Sequence, residues 1–192
     1  MARGQDNDDA RPANHEVEAT RSALARVAVV VVMLLAGCRV SPPSGLLGLK
    51  WGDDAVAAAA RLGIRCEPWD PWEGGSGFEA CADRDRPVTA FGAPANARLV
   101  RLAGNLDGVQ LLFGACAARR KRLRDAVVAA FDLDSHSDDP YQTWDDGSLV
   151  RLAHDGRDDT CTLTVAGPRF GKAYQSWLLA QGLGSLGGAR PR

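Results

Sequence analysis

Two histidines stand among carboxylates in this chain, His136 within Asp132, Asp134, Asp138 and Asp139, and His154 beside Asp155. Imidazole titrates near neutral pH and an adjacent aspartate can fix its tautomer, so either group could act as a general acid or base. The plainer reading is that both are polar turn residues. The alternating carboxylates after residue 131 could also converge on a cation, but a calcium-binding helix–loop–helix needs glycine at its sixth loop position and an acid at its twelfth. Counted from Asp132, those places hold Ser137 and Thr143, which excludes that loop type. The sequence contains no Cys-x-x-Cys, Walker loop, G-x-S-x-G or H-E-x-x-H, so the motif routes to zinc, P-loop nucleotide and hydrolase chemistry are closed. The expectation is a chain without catalytic residues, metal or cofactor, the alternative being an exported enzyme that uses His136 or His154 with neighbouring aspartates.

Two other clusters could bind rather than react. Arg119, Arg120, Lys121, Arg122 and Arg124 form a basic run that is either the solvated face of a helix or a contact for an acidic partner or lipid headgroups, with Arg119, Arg120 and Arg122 as the binding candidates. Trp69 and Trp72, each preceded by a proline, lie in the segment EPWDPWEGGSG. They either offer an aromatic platform, since tryptophan is enriched at binding hot spots, or cap the open face of a sheet.

The thiols divide by context. Between Arg26 and Cys38 run eleven uncharged residues, VAVVVVMLLAG. A helix that crosses a bilayer needs about 20 apolar residues, whereas an export-signal core is of this shorter length and follows a basic segment, here carrying Arg21 and Arg26. The final four residues, Leu35-Ala36-Gly37-Cys38, resemble the lipobox of bacterial lipoproteins. That resemblance implies that Cys38 takes a diacylglyceryl group, that cleavage follows Gly37, and that the new terminus is acylated, palmitate being a typical chain. Several acyl chains anchor stably where one alone is marginal. The polar opening MARGQDNDDARPANHE is unlike a signal, and a start at Val17, which a GTG codon can supply, leaves one of ordinary length. Arg39 is not the aspartate that retains some lipoproteins at the inner membrane, which favours the outer membrane, facing the periplasm.

With Cys38 assigned to lipid, Cys66, Cys81, Cys116 and Cys161 remain. An even number in an oxidising compartment is expected to form two disulfides, with three connectivities open. The expected pairs are Cys66 with Cys81, closing the Trp/Pro/Gly-rich loop, and Cys116 with Cys161, tying a strand end to a later strand.

The elements that must position these residues follow from periodicity. The chain has 192 residues, 45% hydrophobic, with 23 Lys plus Arg against 24 Asp plus Glu. One domain is expected, without the charge excess of a nucleic-acid binder. Residues 1–37 are read as the signal, 38–45 as a tether, 46–182 as the domain and 183–192 as a disordered tail. Asp53 as cap and Gly63 as stop predict a helix over 53–62 whose inward face uses Val56, Ala59, Ala60 and Leu62. Strand-like runs occupy 77–82, 87–91, 97–103 and 108–114, with GNLDG as the connection between the last two. Leu123, Ala126, Val127, Ala130 and Phe131 make the apolar stripe of a second helix over 117–131. A polar loop leads to a hairpin of 148–153 and 161–166, and Tyr174, Trp177 and Leu178 form the apolar side of a last helix. Trp51 and Trp144 are read as core edges. Neighbouring strands flanked by helices predict α+β, an antiparallel sheet with helices packed on one face.

GLLGLKWGDDAVAAAARLG, a hairpin strand containing LDGVQLLF, a helix ending in FDL and a later TWDDGSLVRLA are similar to the BamE (SmpA/OmlA) and beta-lactamase-inhibitor-protein group over about residues 46–166. This implies a lipid-anchored, non-catalytic binding or scaffolding module with an envelope protein as partner, and carries over no catalytic residue.

Overall fold

The computed structural model describes residues 41–134, 137 and 139–183. Cys38 with its lipobox, His136 and residues 184–192 lie outside them, and so do residues 39–40 of the expected tether. In chain order the elements are β1 (Gly45–Leu46), β2 (Leu49–Lys50), α1 (Ala55–Arg61), β3 (Asp70–Pro71), β4 (Phe78–Ala82), β5 (Val88–Ala90), β6 (Ala93–Leu102), β7 (Asn105–Phe113), α2 (Cys116–Phe131), β8 (Tyr141–Thr143), β9 (Leu149–Asp155), β10 (Thr160–Ala166) and α3 (Pro168–Ala180). An antiparallel sheet runs β3-β4-β6-β7-β10-β9-β8, with β5 also paired to β6, and β1–β2 form a separate small ribbon. The fold is α+β.

Period-two alternation sorts the strands onto two faces. Val109, Leu111 and Phe113 of β7 join Leu99, Leu163, Val165, Val150 and Leu152 in one buried cluster with Ala55, Ala58 and Ala59 of α1 and Leu123 and Val127 of α2. The alternate residues Ala80, Val100, Leu149 and Ala166 join a second cluster with Phe170, Tyr174 and Leu178 of α3. Helices therefore cover both faces, which corrects the expectation of a single covered face. The cause is legible in β7 and its neighbours: Gly108 leaves the space that the Phe170 ring fills, and the apolar residues around it need cover from water.

Trp72 is the centre of that second face. It is 2% exposed and packs edge-on to Phe170, ring centroids 5.0 Å apart, and to Phe78 at 6.3 Å. The 67–77 segment is thus not a loop with two presented tryptophans. It contains β3, which pairs with β4, and it folds Trp72 inward because burying so large a ring outweighs ordering the Gly-rich turn. Trp69 remains half-buried beneath the Arg101 guanidinium, 4.1 Å from its ring centroid.

Local tertiary bonds shift α1 by one residue from its expected register. Gly52 N–H donates to Leu106 O at 2.8 Å and Leu106 N–H to Asp53 O at 2.8 Å, which holds Asp53 outside the helix. Asp54 is therefore the cap, its Oδ1 accepting the Ala57 N–H at 2.8 Å, and Val56 points outward at 51% exposed. Gly63 still ends the helix, at φ 69°. The β6–β7 connection is also tighter than GNLDG suggested. Ala103 and Gly104 alone make the turn, at φ 50° and 82°, and Asn105 already pairs with Leu102. Residues 140–147, read as loop, contribute the edge strand β8, and the end of the expected tether is tied down, Pro43 O accepting the Trp51 Nε1–H at 2.6 Å.

Both expected cysteine pairs are brought to disulfide distance, with Cα separations of 5.3 Å for Cys66–Cys81 and 5.3 Å for Cys116–Cys161. All four cysteines lie in the first cluster.

Candidate functional site

The basic run folds into the first turns of α2, and the helix sorts it. Leu123 and Val127 are buried and fix the helix on the sheet. Arg120 then reaches Asp139 at 3.1 Å, and Lys121 and Arg124 share Asp125 at 3.2 and 3.1 Å. Arg119 and Arg122, three residues apart and so on one side of the helix, have no ion-pair or hydrogen-bond partner among the described residues. The two line a cavity of about 300 Å³ with Phe91, Gly92, Ala93, Pro94 and Leu123.

The opposite wall is the β5–β6 turn. Ala90 pairs with Ala93, so Phe91 and Gly92 alone make the reversal, both at positive φ, 50° and 72°. Glycine takes that conformation freely, whereas a phenylalanine there is strained. The strain is held by packing: Ala90 and Ala95 are buried in the first cluster and Val88 packs on it, and the Phe91 ring lies 6.3 Å from that of Phe131. The result is a hydrocarbon floor beneath two permanently charged guanidiniums, with no carboxylate among the described lining residues.

The wall that carries the arginines is firmly seated. The residue before α2, Ala115, is left-handed at φ 51° and provides no side-chain cap. Asp159, in the β9–β10 turn, does so instead: its backbone oxygen accepts the Cys116 N–H at 2.9 Å and its Oδ1 accepts the Ala117 N–H at 2.7 Å. That second bond places a negative charge at the positive end of the helix. The Cys116–Cys161 pair adjoins the same point.

The other sequence candidates fall elsewhere. Arg120 is engaged by Asp139 and is outside the lining of the cavity. Trp72 is interior and Trp69 is covered by Arg101, so neither forms an open platform. His154 lies on β9 opposite Cys161, its Nε2 buried without a hydrogen-bond partner and 4.0 Å from Asp159 Oδ1, the oxygen already given to the α2 cap. Among the described residues no three His, Cys, Asp or Glu groups are placed to hold a metal, and no helix is long and apolar enough to cross a membrane.

Two features had not been foreseen. Asp107 of β7, hidden in the turn-like string GNLDG, is 2% exposed and caps α3: its Oδ2 accepts the Phe170 N–H at 2.6 Å, and Arg169 Nε stands 3.7 Å from it. Burial pushes its carboxyl above the usual range, against the opposing pull of the Phe170 bond and Arg169. A smaller groove of about 140 Å³ lies between β8 and α3, lined by residues that include Tyr141, Arg151, Leu179 and Leu183. Burial likewise raises the Tyr141 hydroxyl. Alternation gives no signal for Asp107, which is the unpaired residue of a bulge where Val100 pairs with Gly108 and Arg101 with Leu106. No family model, no curated protein and no solved structure matches this chain.

Proposed function

We propose that this chain is a lipid-anchored protein of the bacterial envelope, held through Cys38 in the outer membrane and facing the periplasm, whose folded part is a non-catalytic binding or scaffolding module. The observation that carries the binding role is the cavity beside α2, where Arg119 and Arg122 stay unpaired among the described residues while the rest of the basic run is neutralised by neighbouring carboxylates. Arg119 is half-buried and Arg122 exposed, so two guanidiniums not engaged by a described carboxylate face one cavity and are open to a ligand or partner anion. The address is supported by the lipobox Leu35-Ala36-Gly37-Cys38 and by the pairing of every other cysteine, as suits an oxidising compartment. An envelope protein partner and a BamE-like role in envelope organisation accord with this reading.

The test is metabolic labelling of the full chain with radioactive palmitate in a bacterial host, followed by crosslinking in the native envelope. Label lost on Cys38→Ala and a crosslinked partner lost on Arg119→Gln/Arg122→Gln are the expected results. An unlabelled wild-type protein, or a peptide recovered intact across Gly37 and Cys38, overturns the anchor.

A second reading, an exported enzyme, rests on the unpartnered His154 Nε2 near Asp159. It predicts that His136→Ala/His154→Ala abolishes function with the fold preserved, whereas the binding module retains function in that variant.

A further inference from the structure

The composition of the cavity beside α2 narrows its ligand. The floor of Phe91, Pro94 and Leu123 is hydrocarbon, and the described lining offers Arg119 and Arg122 but no hydroxyl, amide or ammonium side chain. A guanidinium fork matches the two oxygens of a carboxylate. Pockets that combine apolar walls with a few convergent charges bury the body of a small molecule and orient it by its polar end.

The place of the cavity in the fold selects the source. The chain enters the domain beside Trp51, whose N–H donates to Ser44 O at 3.1 Å, and Gly52 N–H bonds Leu106 O. Leu106 pairs with Arg101. Pro94, at the cavity, is seven residues back along β6 (Ala93–Leu102), or ~23 Å at about 3.3 Å per residue. The cavity therefore lies at the opposite end of the sheet from the segment that leads to Cys38, which favours a ligand dissolved in the aqueous space over a headgroup of the anchoring bilayer.

We propose that this cavity binds a soluble amphiphilic carboxylate, its aryl or short acyl body seated on Phe91, Pro94 and Leu123 and its carboxylate held between Arg119 and Arg122. The assignment rests on the binding-module reading and names its ligand class.

The test uses the full-length protein in phosphatidylcholine nanodiscs, with para-fluorophenylpropionate as the probe and fluorine NMR as the readout. Saturable broadening is expected, weakened about tenfold or more by Arg119→Gln or Arg122→Gln, changed by less than about twofold by Arg120→Gln, and absent for the neutral amide of the probe. Equal binding of acid and amide, or binding untouched by both arginine substitutions, overturns the proposal. So does displacement of the probe when phosphatidylglycerol is added to the nanodisc, which would make the ligand a headgroup. Mass spectrometry of Cys38 in the same sample separates the two claims: acylated Cys38 with no saturable binding sinks the ligand and leaves the anchored module standing. Unmodified Cys38 with arginine-dependent binding sinks the anchor and upholds the pocket.

Discussion

The two faces of the sheet solve the same problem with different materials. Beneath α1 and α2 the buried side chains are mostly alanines and medium aliphatics, with Phe113 the one fully buried ring, all four paired cysteines are on this side, and a cavity remains at one end. Beneath α3 the filling is aromatic, with Trp72, Phe78, Phe170 and Tyr174 in mutual contact, and the helix is held by the buried carboxylate of Asp107 rather than by a covalent tie. Small residues allow close approach but leave the packing of helix ends to loops and staples. Large rings fill space by themselves and tolerate little change. The first face is therefore the one that keeps the larger cavity, and the second the one on which stability is most sensitive to single substitutions.

The largest effect is expected where the rings meet. Trp72→Ala should cost about 3–5 kcal/mol in chemical denaturation and release α3, seen as loss of amide protection along Pro168–Ala180; a cost below about 1 kcal/mol would dissolve the contrast between the faces. Next, Cys116→Ala/Cys161→Ala should cost about 4 kcal/mol, and the Cys66 and Cys81 double substitution about 3 kcal/mol, because the closed segments span separations of 45 and 15 residues.

A pH experiment sharpens the comparison further. Asp107 has a folded-state carboxyl raised by burial, so its ionised form is the one disfavoured by folding. Its contribution is fully present below the unfolded-state value and is lost as pH rises through the folded-state value. Stability of the wild type relative to Asp107→Asn should accordingly improve as pH falls through the acid range and then level off, measured as the difference between paired denaturation curves. Asp53, Glu73, Asp83 and Asp125 are lowered, chiefly by hydrogen bonds to backbone N–H groups or to arginines, and act in the opposite sense, which is why the difference against Asp107→Asn is needed. The smallest effect should come from Arg119→Gln/Arg122→Gln, within about 0.5 kcal/mol of wild type in the same assay, since these side chains carry no described partner.

The strands and helices were legible because alternation in VQLLF and the stripe from Leu123 to Val127 report burial directly. The cysteine pairing was expected from the even number left beside Cys38 and from loop length. The start of α1 was not legible, because Asp53 and Asp54 are equal caps by chemistry and only the bonds to Leu106 choose between them. The second covered face was missed for a related reason. Val100, Leu149 and Ala166 are apolar on the alternate positions, yet they acquire meaning only when Gly108 and Phe170 are seen to meet across sixty residues of chain. Of the candidate site, the arginines could be read from their run, but which two stay unpaired depends on Asp125 and Asp139 and on a strained turn at Phe91.

The contact between Asp159 and the first turn of α2 has a consequence for the timing of assembly. Its carboxylate and carbonyl belong to a residue 42 positions later than Ala117, so a chain made from its N-terminus carries the arginine-bearing helix well before the group that seats it. The first turn of α2 is fully capped only once the last hairpin has been made, and a chain truncated before Asp159 lacks both acceptors.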